Sequence, residues 1–149
     1  MRRLRKFWAS PLRFKWLLAE ALVRLGVASV LRFLPPARRA QFLMRAHRVL
    51  SQPRRATPSS EEICRAVDVA ARFIPGATCL VKAQVGCAMF NRFGHAAEIK
   101  IGVLKKSSNL EAHAWVECDG LVVIGDTGNQ YVELPKLVPA AGKLELPRA

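Results

Sequence analysis

The chain has 149 residues, a net charge of +13, 51% hydrophobic residues and a mean hydropathy of +0.12. That length supplies one domain's worth of core, and that apolar content excludes general disorder. The charge is one-sided: before Ala56 the single acid Glu20 faces Arg2, Arg3, Arg5, Lys6, Arg13, Lys15, Arg24, Arg32, Arg38, Arg39, Arg45, Arg48, Arg54 and Arg55, whereas the remainder is nearly balanced.

A positively charged start, Met1-Arg2-Arg3-Leu4-Arg5-Lys6, is followed by apolar residues that Arg13, Lys15, Glu20 and Arg24 interrupt. This is not the clean apolar region of a secretory signal. Lys15 to about Leu34 reads as a helix supported by Glu20 and Arg24 at i,i+4 and ended by Pro35-Pro36. Glu20, Arg24 and Arg32 make a membrane span costly, but basic and apolar residues sharing one helix leave peripheral contact with a membrane surface open. Ala37 to Leu50 reads as a second, arginine-rich helix, with Phe42, Ala46 and Val49 at helical spacing. Leu18, Leu22, Leu25, Phe42 and Val49 are expected to bury against the core or a partner. Phe7, Trp8, Phe14 and Trp16 interleave with basic residues at spacings that suit helix packing. No nucleic-acid module accompanies them, so no nucleic-acid partner is assigned.

Ser51 to Pro58 is a linker by composition. Residues 1–56 are therefore read as a basic amphipathic helical region and 57–149 as the core. Ser59 with Glu62 makes a capping box that opens a helix to about Phe73, with Ile63, Ala66, Val67 and Ala70 inward. Ile74-Pro75-Gly76 is a turn. The next helix runs from Cys79 to Phe93, with Thr78 as N-cap and Gly94 at C′. Alternation follows: Ile99, Ile101 and Val103 face one way, Glu98 and Lys100 the other. Leu110 to Cys118 and Leu121 to Gly125 are strands joined by Asp119-Gly120, a strong hairpin signal, and Tyr131 to Leu134 adds a short fourth. Helices, a helix headed by cysteine, then an antiparallel meander: the class is α+β, with that helix packed on the sheet.

Three residues carry the chemistry. If Asp119-Gly120 is the whole loop, Cys118 pairs with Leu121, and counting outward sets His113 opposite Asp126. Opposed residues on one face have Cβ atoms about 5 Å apart, within reach of an imidazole–carboxylate hydrogen bond. Cys79 stands where a helix N-terminus lowers a thiol pKa and where unpaired amides offer an oxyanion hole. A nucleophile, a base and an orienting acid make a thiol triad. Trp115 is in phase with His113, either shielding the site or packing plainly. Cys64 and Cys87 lie among apolar helix residues, and the four cysteines lack C-x-x-C spacing, which argues for reduced thiols. Zinc on Cys79, Cys87, Cys118 and His113 lacks the paired spacing of structural sites, and no metal or cofactor is assigned. His95 after Gly94 reads as a helix-exit residue.

Ala77-Thr78-Cys79-Leu80-Val81-Lys82-Ala83, Glu98-Ile99-Lys100-Ile101-Gly102-Val103 and Ala112-His113-Ala114-Trp115-Val116-Glu117 leading to Gly125-Asp126 resemble the transglutaminase-like cysteine peptidases of lasso-peptide biosynthesis, which remove leader peptides. The resemblance implies a papain/transglutaminase-like core with Cys79 as nucleophile, His113 as base and Asp126 as acid. It implies a ribosomally made precursor peptide as substrate. The chain has no room for a winged-helix leader-recognition domain, so the split form is implied: a separate leader-recognition protein, an ATP-dependent asparagine-synthetase-like cyclase as partner, and a cytoplasmic setting. Two other readings stand beside it. The same triad serves an acyltransferase or deamidase, because the acyl-enzyme is common to both. Alternatively, the basic helices are a membrane- or partner-binding module and the rest is scaffold.

Overall fold

The computed structural model describes residues 11–31, 33, 58–106, 109–128 and 130–135. Within them lie helices α1 (Leu12–Leu31), α2 (Ser60–Ala71) and α3 (Cys79–Arg92), then strands β1 (Ala97–Lys106), β2 (Asn109–Cys118), β3 (Leu121–Ile124) and β4 (Val132–Glu133). The fold is α+β. The helix expected over Ala37 to Leu50, with Phe42 and Val49, and the boundary expected between residues 56 and 57 lie outside the described residues.

The helix ends follow from local chemistry. Ser59 accepts from the Glu62 amide and the Glu62 carboxylate accepts from the Ser59 amide, closing the expected capping box on α2. Thr78 takes an extended conformation, accepts from the Val81 amide and starts α3. At the far end Gly94 adopts φ +84°, letting its own amide bond Asn91 O and that of His95 bond Phe90 O, the Schellman closure. The helix α1 begins three residues earlier than its periodicity indicates, because the Pro11 carbonyl accepts from Phe14 and Lys15.

The sheet order is β3-β2-β1-β4, all neighbours antiparallel. Asp119 (φ +52°) and Gly120 (φ +78°) both lie in the left-handed region, as a tight primed turn requires. The fourth strand does not continue the meander beside β3. It crosses to the other edge, pairing Val103 with Val132.

One core joins the layers. Phe14, Leu17, Leu18, Ala21 and Leu25 of α1, Ile63, Ala66, Val67 and Ala70 of α2, and Val81, Val85, Met89 and Phe90 of α3 meet Ala114, Val116 and Ile124 of the sheet. Leu18 and Leu25 are buried and Leu22 packs against the cluster, as expected of this helix. At Gly86 α3 lies close on the sheet: a Cβ there would collide with Ile124 Cδ1 and touch Val116. The expected Glu20–Arg24 pair forms, and Arg92 extends it into a buried triad. Glu20 Oε1 accepts from Arg24 Nε at 2.8 Å and from Arg92 Nη1 at 2.9 Å, tying α1 to the end of α3. The ion pairs Arg13–Glu62 and Lys82–Asp68 stitch α2 to its two neighbours.

Candidate functional site

Cys79 is the first residue of α3, half-buried with its side chain against the core. In the first turn of a helix the amides have no intrahelical carbonyl to bond. The Val81 amide is spent on Thr78 Oγ1, and the Lys82 amide on Thr78 O at 2.9 Å. None of the described hydrogen bonds uses the Cys79 or Leu80 amides. These two amides therefore stand as donors at the positive end of the helix that Cys79 heads, where a developing oxyanion is best received.

His113 sits mid-β2, level with Gly102 of β1. Strand alternation sends Ala114, Val116 and Cys118 into the core beneath α3, so His113, Trp115 and Glu117 share the other face. There the imidazole is half-buried among aromatic rings. Its centroid lies 6.4 Å from that of Trp115, the two rings nearly parallel at 15°, and 5.1 Å from that of Tyr131. The Trp115 indole donates to Glu117 Oε1 at 2.8 Å and the Tyr131 hydroxyl to Glu111 Oε1 at 2.9 Å, so both flanking rings are held at their polar ends. Gly102 makes this packing possible, since a Cβ there would stand 2.9 Å from the Trp115 ring and from Tyr131 Cβ.

The hairpin register departs from the straight count. Cys118 pairs with Leu121 and Glu117 with Val122, but Val116 pairs with Ile124, leaving Val123 as an extra residue in β3. Continuing outward, the residue level with Asp126 is Ala114, not His113. The expected opposition of His113 and Asp126 across an unbroken ladder is thus corrected by a β-bulge. The Val123 carbonyl accepts from Cys64 Sγ at 3.1 Å, an anchor to α2 that the count along two strands could not include.

The bulge brings a different acceptor to the ring. His113 Nε2 lies 2.7 Å from Gly125 O. A carbonyl only accepts, so Nε2 carries the proton and Nδ1 is left as the basic nitrogen. Gly125 has φ +86°, and its Cα passes close enough to β2 that a Cβ would be 3.1 Å from Ala114 O. Asp126, exposed, accepts the Gly128 amide on Oδ1 at 2.9 Å, an Asx-turn that shapes the loop carrying the Gly125 carbonyl. Among the described residues no hydrogen bond joins Cys79 Sγ to the His113 ring, nor His113 to the Asp126 carboxylate. Tyr131 and Gly125 were not singled out from sequence as site residues. A Gly directly before the acid was the available signal for the second, and the crossing of β4 for the first was not readable.

The other thiols sit in environments that keep them protonated. Burial, then the Asp68 carboxylate, pushes Cys64 up to about 11. Burial also raises Cys87, which donates to Ala97 O, and Cys118. Among the described residues no group of His, Cys, Asp or Glu is arranged to hold a metal ion. His95 contacts Pro58 O through Nε2 and packs edge-on to Phe90, a structural helix-exit role.

A family model of the transglutaminase-like superfamily matches residues 21–135, most of the chain. No curated protein and no solved structure matches.

Proposed function

The chain belongs to the transglutaminase-like superfamily, whose members are typically cysteine-dependent hydrolases and transferases, and from that premise we propose that it is a cysteine peptidase cleaving the amide between leader and core of a ribosomally made precursor peptide. Cys79 is the nucleophile, His113 the general base and acid, and Asp126 the acid that favours the imidazolium. The observation that supports this most is the short bond from His113 Nε2 to Gly125 O. It fixes the ring tautomer and leaves Nδ1 as the single nitrogen able to take a proton from a thiol.

In the first half-reaction, once substrate binding has brought the His113 ring round to the thiol from the sheet face turned away from α3, Cys79 gives its proton to His113 Nδ1 and the sulfur attacks the leader carbonyl. The oxyanion is received by the Cys79 and Leu80 amides. As the C–N bond breaks, His113 returns the proton to the departing core amine, leaving a leader thioester on Cys79. In the second, His113 takes a proton from water, the hydroxide adds to the thioester, and the leader acid leaves with the thiol restored. Asp126, one residue from the carbonyl that orients the ring, supplies negative charge while the imidazolium exists. A separate leader-recognition protein presents the precursor, and an ATP-dependent asparagine-synthetase-like cyclase consumes the freed core amine.

The test combines purified protein, precursor and leader-recognition protein, read by mass spectrometry beside Cys79→Ala. The expected result is one cleavage, between leader and core, that Cys79→Ala abolishes. Cleavage persisting in that variant would remove Cys79 from the mechanism. Capture of the leader by an added primary amine in preference to water would reassign the same thiol to acyl transfer.

A further inference from the structure

The helix α1 is apolar on both sides. Its inner side is core. On its outer side Leu12 is 82% exposed, Trp16 37%, Val23 64%, Val27 39% and Val30 64%. At 3.6 residues per turn these five fall within an arc of about 60°, and they extend along about 27 Å of helix. Ala19, also exposed, lies on the same line, and no charged residue does. A continuous apolar stripe of this length is uncommon on a soluble monomer and marks a contact surface.

The charge of the chain is concentrated in the same region. Residues 1–56 hold 14 Lys and Arg against one acid, which equals the net +13 of the entire chain; the remaining 93 residues balance. Among the described residues no helix is long and apolar enough to cross a membrane. In α1 the reason is Arg13, Lys15, Glu20 and Arg24. An apolar stripe on a helix too charged to span, within a strongly cationic region, is the pattern of a helix lying in a lipid interface.

We propose that the outer stripe of α1 seats this protein on an anionic lipid bilayer, with the helix axis parallel to the surface. Val23, Val27 and Val30 enter the acyl boundary. The Trp16 indole, whose ring also faces the Arg92 guanidinium at 5.7 Å, sits at headgroup level. Arg13 and Lys15, on the turn of α1 beside Leu12 and Trp16, meet the lipid phosphates. A second copy is the poorer occupant, because pairing two such helices would bring two strongly cationic regions together. Seating on lipid through α1 requires none of the thiol chemistry.

The full chain is floated with vesicles of phosphatidylcholine alone and with phosphatidylglycerol added. The expected result is flotation with the anionic vesicles only, lost in molar salt, where the screening length is about 3 Å. The double variant Val23→Glu/Val27→Glu should bind at least about tenfold more weakly, with its thermal transition in place since both side chains are exposed. If that variant does not fold, Val30→Glu alone is read in the same way. Failure of the folded wild-type chain to float would overturn the proposal. So would flotation that the glutamates leave unchanged, or a concentration-dependent dimer that they abolish in the absence of vesicle binding.

Discussion

Replacing Gly125 with alanine tests the arrangement around His113 most directly. Gly125 holds φ +86°, and an added Cβ would stand 3.1 Å from Ala114 O and 3.2 Å from Trp115 Cβ. The left-handed backbone costs an alanine about 1–2 kcal/mol. The crowding pushes the loop off β2 and with it the carbonyl 2.7 Å from His113 Nε2, a hydrogen bond contributing about 0.5–1.5 kcal/mol net. The sum, about 1.5–3.5 kcal/mol, should lower the melting temperature by roughly 2–4 °C per kcal/mol for a chain of this size. Gly120→Ala is the control: φ is +78°, but nothing lies within 4 Å of the new methyl. It should show only the backbone cost of about 1–2 kcal/mol. Nitrogen-15 spectra of the imidazole provide the second measurement. The wild type should carry its proton on Nε2, and Gly125→Ala should relax that preference while cutting the cleavage rate about tenfold or more. If Gly125→Ala and Gly120→Ala melt alike and His113 keeps one tautomer in both, the Gly125 carbonyl does not orient the ring.

Four further outcomes are expected. Glu20→Ala should cost about 3–5 kcal/mol in denaturant unfolding, because it removes the carboxylate shared by two arginines whose side chains are only 11% and 8% exposed; a loss below about 1 kcal/mol would mean solvent reaches them. Tyr131→Leu removes the ring stacked 5.1 Å from His113, whereas Tyr131→Phe keeps the ring and loses only the bond to Glu111. The leucine variant should lower kcat with KM unchanged and the phenylalanine variant should retain most activity; equal losses would assign the effect to the hydroxyl. Iodoacetamide at neutral pH, followed by peptide mapping, should label Cys79 ahead of Cys64, Cys87 and Cys118, which burial holds protonated. For Cys64, raised from 9.0 to about 11, the folded chain keeps a proton that the unfolded chain releases, so stability should decline as pH rises through that interval. A stability profile flat across it in wild type and Cys64→Ala alike would count against that burial.

Local signals settled much of this protein. The Ser59–Glu62 box, Thr78, Gly94 and Asp119-Gly120 each satisfy backbone groups within a few residues, so their effects can be read without knowing the rest of the chain. Period-two alternation likewise put His113 and Trp115 on one face, because the pleat allows nothing else. What lay beyond the sequence depends on contacts between residues far apart. The bulge at Val123 coincides with the contact of Cys64 on β3, and one extra residue hands the His113 ring to the Gly125 carbonyl in place of the Asp126 carboxylate. The Tyr131 stack required β4 to cross to the far edge beside β1. The Glu20 triad required Arg92, 72 residues away, to arrive at one end of a helix. Periodicity reports which side of an element is buried; which neighbour covers it, and with what register, is decided only when three layers compete for the same few ångströms.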